Sequence, residues 1–140
     1  MHSDTDIKLN ILLIESNLSS RSHLKRILKQ SGCLNITIIN NGAELISKPK
    51  LLDFDLLILD FDIDNCFTGT EFIRQLLTLK ILQDHTRIIF ITDQADKVSA
   101  DLPFRYVTTD IIEKPVNHAK LTQKLQYFNA SSKRLKLLLK

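Results

Sequence analysis

Four polar side chains close four apolar runs in this chain. Glu15 follows NILLI (10–14), Asp60 follows LLIL (56–59), Thr92 follows RIIFI (87–91), and Lys114 comes just after Ile111, Ile112 and Glu113. Two carboxylates, a hydroxyl and an ammonium are the parts needed to move a phosphoryl group onto a carboxylate. Positioning and charge neutralisation supply most of the catalysis in that chemistry. Asp60 can be the nucleophile or a metal ligand, and Glu15 can help hold a divalent cation, which prefers oxygen donors. Lys114 can pair with a carboxylate or with phosphoryl oxygens, and Thr92 can hydrogen-bond to them. Taken singly, each residue has a plainer reading as a turn, a cap or a surface group. Their order, each at the end of an apolar run, favours a common site.

The runs themselves are short and do not alternate with polar residues, as strands covered on both faces should not. Helical spacing lies between them. Leu24, Ile27 and Leu28 precede Gly32, a stop signal, and Phe72, Ile73, Leu76 and Leu77 mark a second helix. NITII (35–39) reads as a β-branched strand, Asn40-Asn41-Gly42 as a turn, and 43–47 as a short helix ended by Pro49. The polar segment 93–102 can hold a short helix, and a last helix starts near Asn117 with Leu121, Leu125 and Phe128. Strand then helix, five times over, is a doubly wound α/β pattern with a parallel sheet. In such sheets ligands bind beyond the carboxyl ends of the strands, where the four residues would meet.

Composition narrows the function classes. The chain has 140 residues, 44% of them apolar and 25% charged, with a net charge of +3. That is one ordinary globular domain, too mildly basic to imply nucleic acid by charge alone. Cys33 and Cys66 form no CxxC and have no nearby His pair, which argues against zinc and against a disulfide framework. The polar start MHSDTDIKLN has no apolar core of a signal peptide, and no apolar run approaches the ~18 residues of a membrane span. The expected setting is therefore cytoplasmic, with no membrane contact and no direct nucleic-acid contact.

The segments ILLIES (11–16), DLLILD (55–60), IIFITD (88–93) and IIEKP (111–115) resemble the receiver domain of bacterial two-component response regulators. The similarity runs from about Leu9 to Phe128. It implies a flavodoxin-like (βα)5 fold with strand order 2-1-3-4-5, and a receiver over 1–128. By resemblance Asp60 is the phosphoacceptor, Thr92 the switch hydroxyl, and Lys114 the lysine that contacts the phosphoryl group. Mg2+ would be held by Glu15, Asp60 and the backbone carbonyl of Asp62, and the Lys114–Pro115 bond would be cis. The implied partner is a sensor histidine kinase or phosphotransfer protein. The chain would accept a phosphoryl group rather than act as a turnover enzyme.

Four departures bear on that role. Receivers carry two adjacent acids after the first strand, and here Ser16 stands where the more direct metal ligand would be, which weakens the site for a hard cation. The loop after Asp60 lacks the usual proline and is about one residue longer. Asp93 replaces a small residue beside Thr92 and adds negative charge near any phosphoryl group. Ile111 occupies the aromatic switch position, with Tyr106 out of register. Ser16, Asp93 and Ile111 together motivate an alternative, a degenerate receiver that binds partners without phosphate. A remote alternative comes from ILDFDID (58–64), which looks like the DxD motif of haloacid-dehalogenase-type phosphatases. Against it, the motif is far from the N-terminus and no acid follows Lys114.

Leu121, Leu125, Phe128, Leu135 and Leu139 recur at spacings of four and three, a heptad-like seam with Ser132 in its gap. Residues 129–140 therefore read as a helical extension leading toward an output domain absent from this sequence. Its Lys133, Arg134, Lys136 and Lys140 form a basic end best read as a solvated face. A homodimer is expected through the last helix–strand–helix face, around 95–128, or through the C-terminal helix.

Overall fold

Leu56, Leu57, Ile58 and Leu59 leave neither face of a strand polar, so the strand must lie between two covering layers. The computed structural model describes residues 6–47, 53–60, 69–80, 82, 85–93 and 109–138, and shows that arrangement. Five parallel strands form one sheet: β1 (Ile7–Ile14), β2 (Cys33–Ile39), β3 (Leu56–Asp60), β4 (Arg87–Thr92) and β5 (Thr109–Glu113). Their order is β2-β1-β3-β4-β5, the flavodoxin-like receiver order. Among the described residues there are four helices: α1 (Leu18–Gln30), α2 (Gly42–Ser47), α3 (Gly69–Thr78) and α4 (His118–Leu138). Of the expected helix at 93–102, all but Asp93 lies outside the described residues, as does Pro49.

The two faces of the sheet carry separate cores. Ile11, Leu13, Leu56, Ile58, Ile89 and Ile91 pack with Leu24, Ile27 and Leu28 of α1 and Leu121, Leu125 and Phe128 of α4. Leu12, Ile14, Leu57, Leu59, Ile88 and Phe90 pack with Phe72, Ile73 and Leu76 of α3. Each buried Leu, Ile or Phe contributes about 1.5–3 kcal/mol. Surface ion pairs contribute about 0–1 kcal/mol, so apolar burial and not charge holds the sheet in place.

Strand β1 begins at Ile7, three residues before the apolar run suggests. Its first half alternates buried and exposed, and only its second half is buried on both faces. Asp55 extends the pairing downward. Its Oδ2 accepts from the Asn10 N–H at 2.8 Å, while its own N–H donates to the Asn10 carbonyl at 2.8 Å. Strand β2 likewise starts earlier than expected, at Cys33, directly after Gly32 (φ 94°), where a side chain would be strained.

Helix α4 continues past Phe128, the expected domain edge, without a break. Asn129 ties that region to the sheet: its Oδ1 accepts from the Lys8 N–H at 3.0 Å and its Nδ2 donates to the Asp6 carbonyl at 3.2 Å. Beyond Ser132 the side chains of the seam are outside the described set.

The Asn41-Gly42 turn signal becomes a helix start. Asn41 Oδ1 accepts from the Glu44 N–H at 2.9 Å, so α2 opens on Gly42 itself. The absence of a side chain there is a packing requirement. A Cβ on Gly42 would lie 2.8 Å from Cε2 of Phe72, which is fully buried and cannot swing away. A glycine-to-alanine change inside a helix usually stabilises by up to about 1 kcal/mol. Gly42→Ala should instead destabilise by about 1–3 kcal/mol through overpacking, read as a lower urea midpoint with unchanged slope.

Candidate functional site

Strand register sets the geometry at the carboxyl edge. Ile14 pairs with Leu59, Asp60 with Ile91, and Ile91 with Ile112, so Glu15 comes level with Asp60 on the adjacent strand. Thr92 pairs with Glu113 one step further out, and Lys114 follows beyond it. Side chains alternate along a strand. Glu15, Asp60 and Lys114 continue the parity of Leu13, Ile58 and Ile112, which face α1 and α4. Thr92 continues that of Ile88 and Phe90, which face α3.

The structure brings Asp60 and Lys114 into direct contact, with Nζ donating to Oδ2 at 2.5 Å. The Asp60 side chain is 12% exposed and that of Lys114 36%, so the pair sits at the mouth of the site. The backbone sets the lysine's position, because its N–H donates to the Thr92 carbonyl at 2.7 Å. The Lys114–Pro115 bond is cis, as the resemblance implies. Partial burial works against the Lys114 ammonium. Its hydrogen bond and charge interaction with Asp60 oppose this, Glu15 and Asp93 add to that opposition, and the balance holds the lysine above its ordinary value. Asp93, exposed beside the buried Thr92, is thus a third anion acting on the same cation.

Glu15 is 3% exposed. Its Oε1 accepts from the Asn17 N–H at 3.0 Å, while its buried Oε2 has no hydrogen-bond partner. Burial pushes its carboxyl above the ordinary glutamate value. The Asn17 hydrogen bond opposes that shift, the neighbouring Asp60 adds to it, and the charge of Lys114 opposes it again. Two carboxylates can hydrogen-bond to each other only when one holds a proton, so the ionised pair leaves Oε2 unsatisfied. An orphaned buried oxygen beside a second carboxylate is a donor set suited to a hard divalent cation. Ser16 is exposed and offers no carboxylate, and no group of three acidic, His or Cys side chains gathers among the described residues. Asp62, expected to give a carbonyl ligand and the second acid of DxD, lies outside the described residues.

Ile111 is half-buried and packs against the α3-side core. Its N–H donates to Oδ1 of Asp110, whose Oδ2 accepts from Lys124 of α4. A hollow of about 510 Å3 runs between this strand and α4, and neither Glu15 nor Asp60 lines it. A smaller cleft of about 210 Å3 adjoins the site itself, between α1 and the β5–α4 loop, lined by Glu15, His23, Leu24, Ile91 and Lys114. Burial pushes the Cys33 thiol up to about 12, which leaves it protonated and unreactive, while Cys66 is outside the described residues.

Sequence reasoning missed Asn17 and Arg21. Asn17 caps α1, its Oδ1 accepting from the Ser20 N–H at 2.9 Å, and Arg21 Nη1 donates to the Glu15 carbonyl at 3.2 Å. An Asn just before a helical run was the available signal for the first. The second depends on a side chain folding back over a loop and leaves no mark in spacing.

Comparison with known proteins agrees with this fold. The family model described as the response regulator receiver domain matches residues 11–126. The cell cycle transcriptional regulator CtrA of Caulobacter vibrioides is 22% identical over 117 residues, covering 84% of this chain and 48% of the relative. The chain thus spans about half the length of that curated relative. The receiver domain of the sensor histidine kinase PA1611 of Pseudomonas aeruginosa, solved with magnesium coordinated in its active-site cleft, is similar in fold. Its TM-score is 0.69 at 20% identity, over 88% of this chain and 98% of that one. The receiver domain of Ssk1 of Saccharomyces cerevisiae, solved with the histidine phosphotransfer protein Ypd1, gives a TM-score of 0.71 at 20% identity over 91% and 92%. The chain belongs to the response regulator receiver-domain family.

Proposed function

We propose that this domain accepts a phosphoryl group on Asp60 from the phosphohistidine of a sensor kinase or phosphotransfer protein. An Asp60 oxygen forms the new bond to phosphorus, the bond from phosphorus to the imidazole nitrogen breaks, and the imidazole leaves with that electron pair. The observation that carries this reading is Asp60 held by Lys114 at 2.5 Å beside Glu15, whose Oε2 is buried and unsatisfied. Lys114 neutralises the nucleophile's charge at rest and is placed to follow the charge onto phosphoryl oxygens. Glu15 and Asp60 would hold Mg2+, with the Asp62 carbonyl as the expected third ligand. When bound, that ion supplies neutralisation of charge on the transferring group. Ser16 in place of an acid makes this a weak Mg2+ site. Thr92, buried at the end of β4, is the proposed switch hydroxyl, and half-buried Ile111 replaces the aromatic partner it usually works with.

The described residues contain no helix long and apolar enough to cross a membrane. A cytoplasmic signalling role belongs to the same proposal, as does output through a helical extension after residue 128. Self-association through α4 belongs to it too, although residues 95–108 of the expected dimer face lie outside the described set.

A second reading, a phosphate-independent binding module, draws support from Asp93 acting on Lys114 alongside Asp60. Intact-mass measurement after incubation with acetyl phosphate and Mg2+ separates the two. The phosphoacceptor reading expects one phosphoryl adduct on the wild type and none on Asp60→Asn. A wild type that shows neither this adduct nor beryllofluoride binding leaves the binding module.

Asp93→Ala should raise the initial rate of adduct formation about three- to tenfold, the scale of one removed charge interaction near a surface. Glu15→Gln should act in opposite directions on stability and metal binding. Because the folded-state carboxyl titrates above its unfolded value, its ionised form costs stability at neutral pH. In EDTA at pH 7 the glutamine variant should gain about 1 kcal/mol, the scale of one relieved buried group, in urea unfolding. The gain should fade as the pH drops below the ordinary glutamate value near 4.5, where both states are protonated. The same variant should lose Mg2+ affinity in titration.

A further inference from the structure

We infer that Arg21 is a positioning residue for Glu15, acting through the main chain of the β1–α1 loop and not through its charge on the carboxylate. The loop is closed at three points. The Arg21 guanidinium donates through Nη1 to the Glu15 carbonyl at 3.2 Å. The Arg21 backbone N–H donates to the Asn17 carbonyl at 2.9 Å. The Asn17 backbone N–H in turn donates to Glu15 Oε1 at 3.0 Å. Arg21 therefore holds both ends of the segment whose amide orients the carboxyl. The influences on that carboxyl come from burial, Asn17, Asp60 and Lys114, while Arg21 meets Glu15 at its carbonyl.

The tether has a particular consequence in this chain. With Ser16 exposed in place of a second acid, Glu15 is the one carboxylate that the β1–α1 loop contributes. Its Oε1 accepts from Asn17 while its Oε2 is buried without a hydrogen-bond partner. A rotation of the Glu15 side chain would let the orphaned oxygen reach water, and the tether opposes that escape. A ligand held from outside its own coordination shell is the usual reason such supporting residues matter, at about 10–100-fold in metal affinity.

The inference rests on Glu15 being a metal ligand, as proposed above, and two readouts keep the two claims apart. The first is amide hydrogen exchange at Asn17, followed by NMR in the full chain without metal. Arg21→Met keeps the apolar stem and removes the donors, and it should lower Asn17 protection about tenfold while the central turns of α1 stay protected. Arg21→Gln, too short to reach the carbonyl, is the second variant if the methionine form misfolds, and Arg21→Lys should restore part of the protection. The second readout is Mg2+ titration followed by the Glu15 and Asp60 amides, where Arg21→Met should raise the apparent Kd about tenfold. Unchanged Asn17 protection in both the Met and Gln variants overturns the inference, as does equal loss along all of α1, which would make Arg21 a helix stabiliser only. A wild type that ignores Mg2+ overturns the metal reading, and the exchange at Asn17 still decides the tether.

Discussion

Strands β3 and β4 over most of their length, and β1 over its second half, have no polar face, and this constraint shapes everything built on them. Ile11 to Ile14, Leu56 to Leu59 and Ile88 to Ile91 are all buried. Slipping one of these strands by a residue would exchange its two core faces and move its terminal acid or hydroxyl to the other side of the sheet. The cores differ in shape, one filled by Phe72 and Phe90, the other by aliphatic residues with Phe128 at its edge. Register is thus held by jigsaw packing on both sides at once. The level placement of Glu15 and Asp60 follows from that packing, not from any attraction between the two acids, which repel.

The site then works with charges that the core has forced together. Two carboxylates share one lysine, and a third, Asp93, acts on it from the rim. Lys114 satisfies Asp60 directly, which leaves Glu15 as the group whose ionised form is least well accommodated. Such an arrangement is expensive in stability and useful in chemistry, since an unsatisfied anion is a standing affinity for a cation. The surroundings compensate by gripping Glu15 at three atoms: its N–H donates to the Ile39 carbonyl of β2, its carbonyl accepts from the Arg21 guanidinium, and its Oε1 accepts from the Asn17 N–H. Ser16 and Asp93 modify this balance in the same direction, less ligand charge for the proposed metal and more negative charge for the proposed phosphoryl group to meet.

At the far end of the sheet the polar contacts are structural. Asp55 joins β1 to β3, the Arg87 guanidinium lies 4.7 Å from the Phe128 ring centroid, and Asn129 bonds to the backbone of residues 6 and 8. Helix α4 is thereby fixed to the sheet past the point where its apolar spacing alone would place the edge of the domain. In the first half of β5 the same helix takes Asp110 through Lys124, next to Ile111. One helix so connects the base of β1 with the strand expected to transmit a switch.

Much of this was legible in the residues. Unalternating apolar runs identify strands covered on both sides, and Glu15, Asp60, Thr92 and Lys114 stand out because a polar group ending such a run must sit at the sheet edge. The strand starts at Ile7 and Cys33 were not legible, since exposed and buried residues alternate at the first, two exposed residues follow Cys33 at the second, and the pairing depends on Asp55 and on Gly32. Nor was the turn at Asn41-Gly42 as a helix cap, because the same dipeptide serves either purpose until Phe72 occupies the space beside it. Sequence by itself determined the identity of the chemical groups, the parallel sheet and the order of elements, because local pattern and burial on two faces admit few alternatives. Only the tertiary structure decided which acid Lys114 takes, which Glu15 oxygen is left without a partner, and that Arg21 closes the loop beneath it. Those outcomes depend on distances of about 3 Å between residues on different elements, and spacing along a chain does not encode such distances.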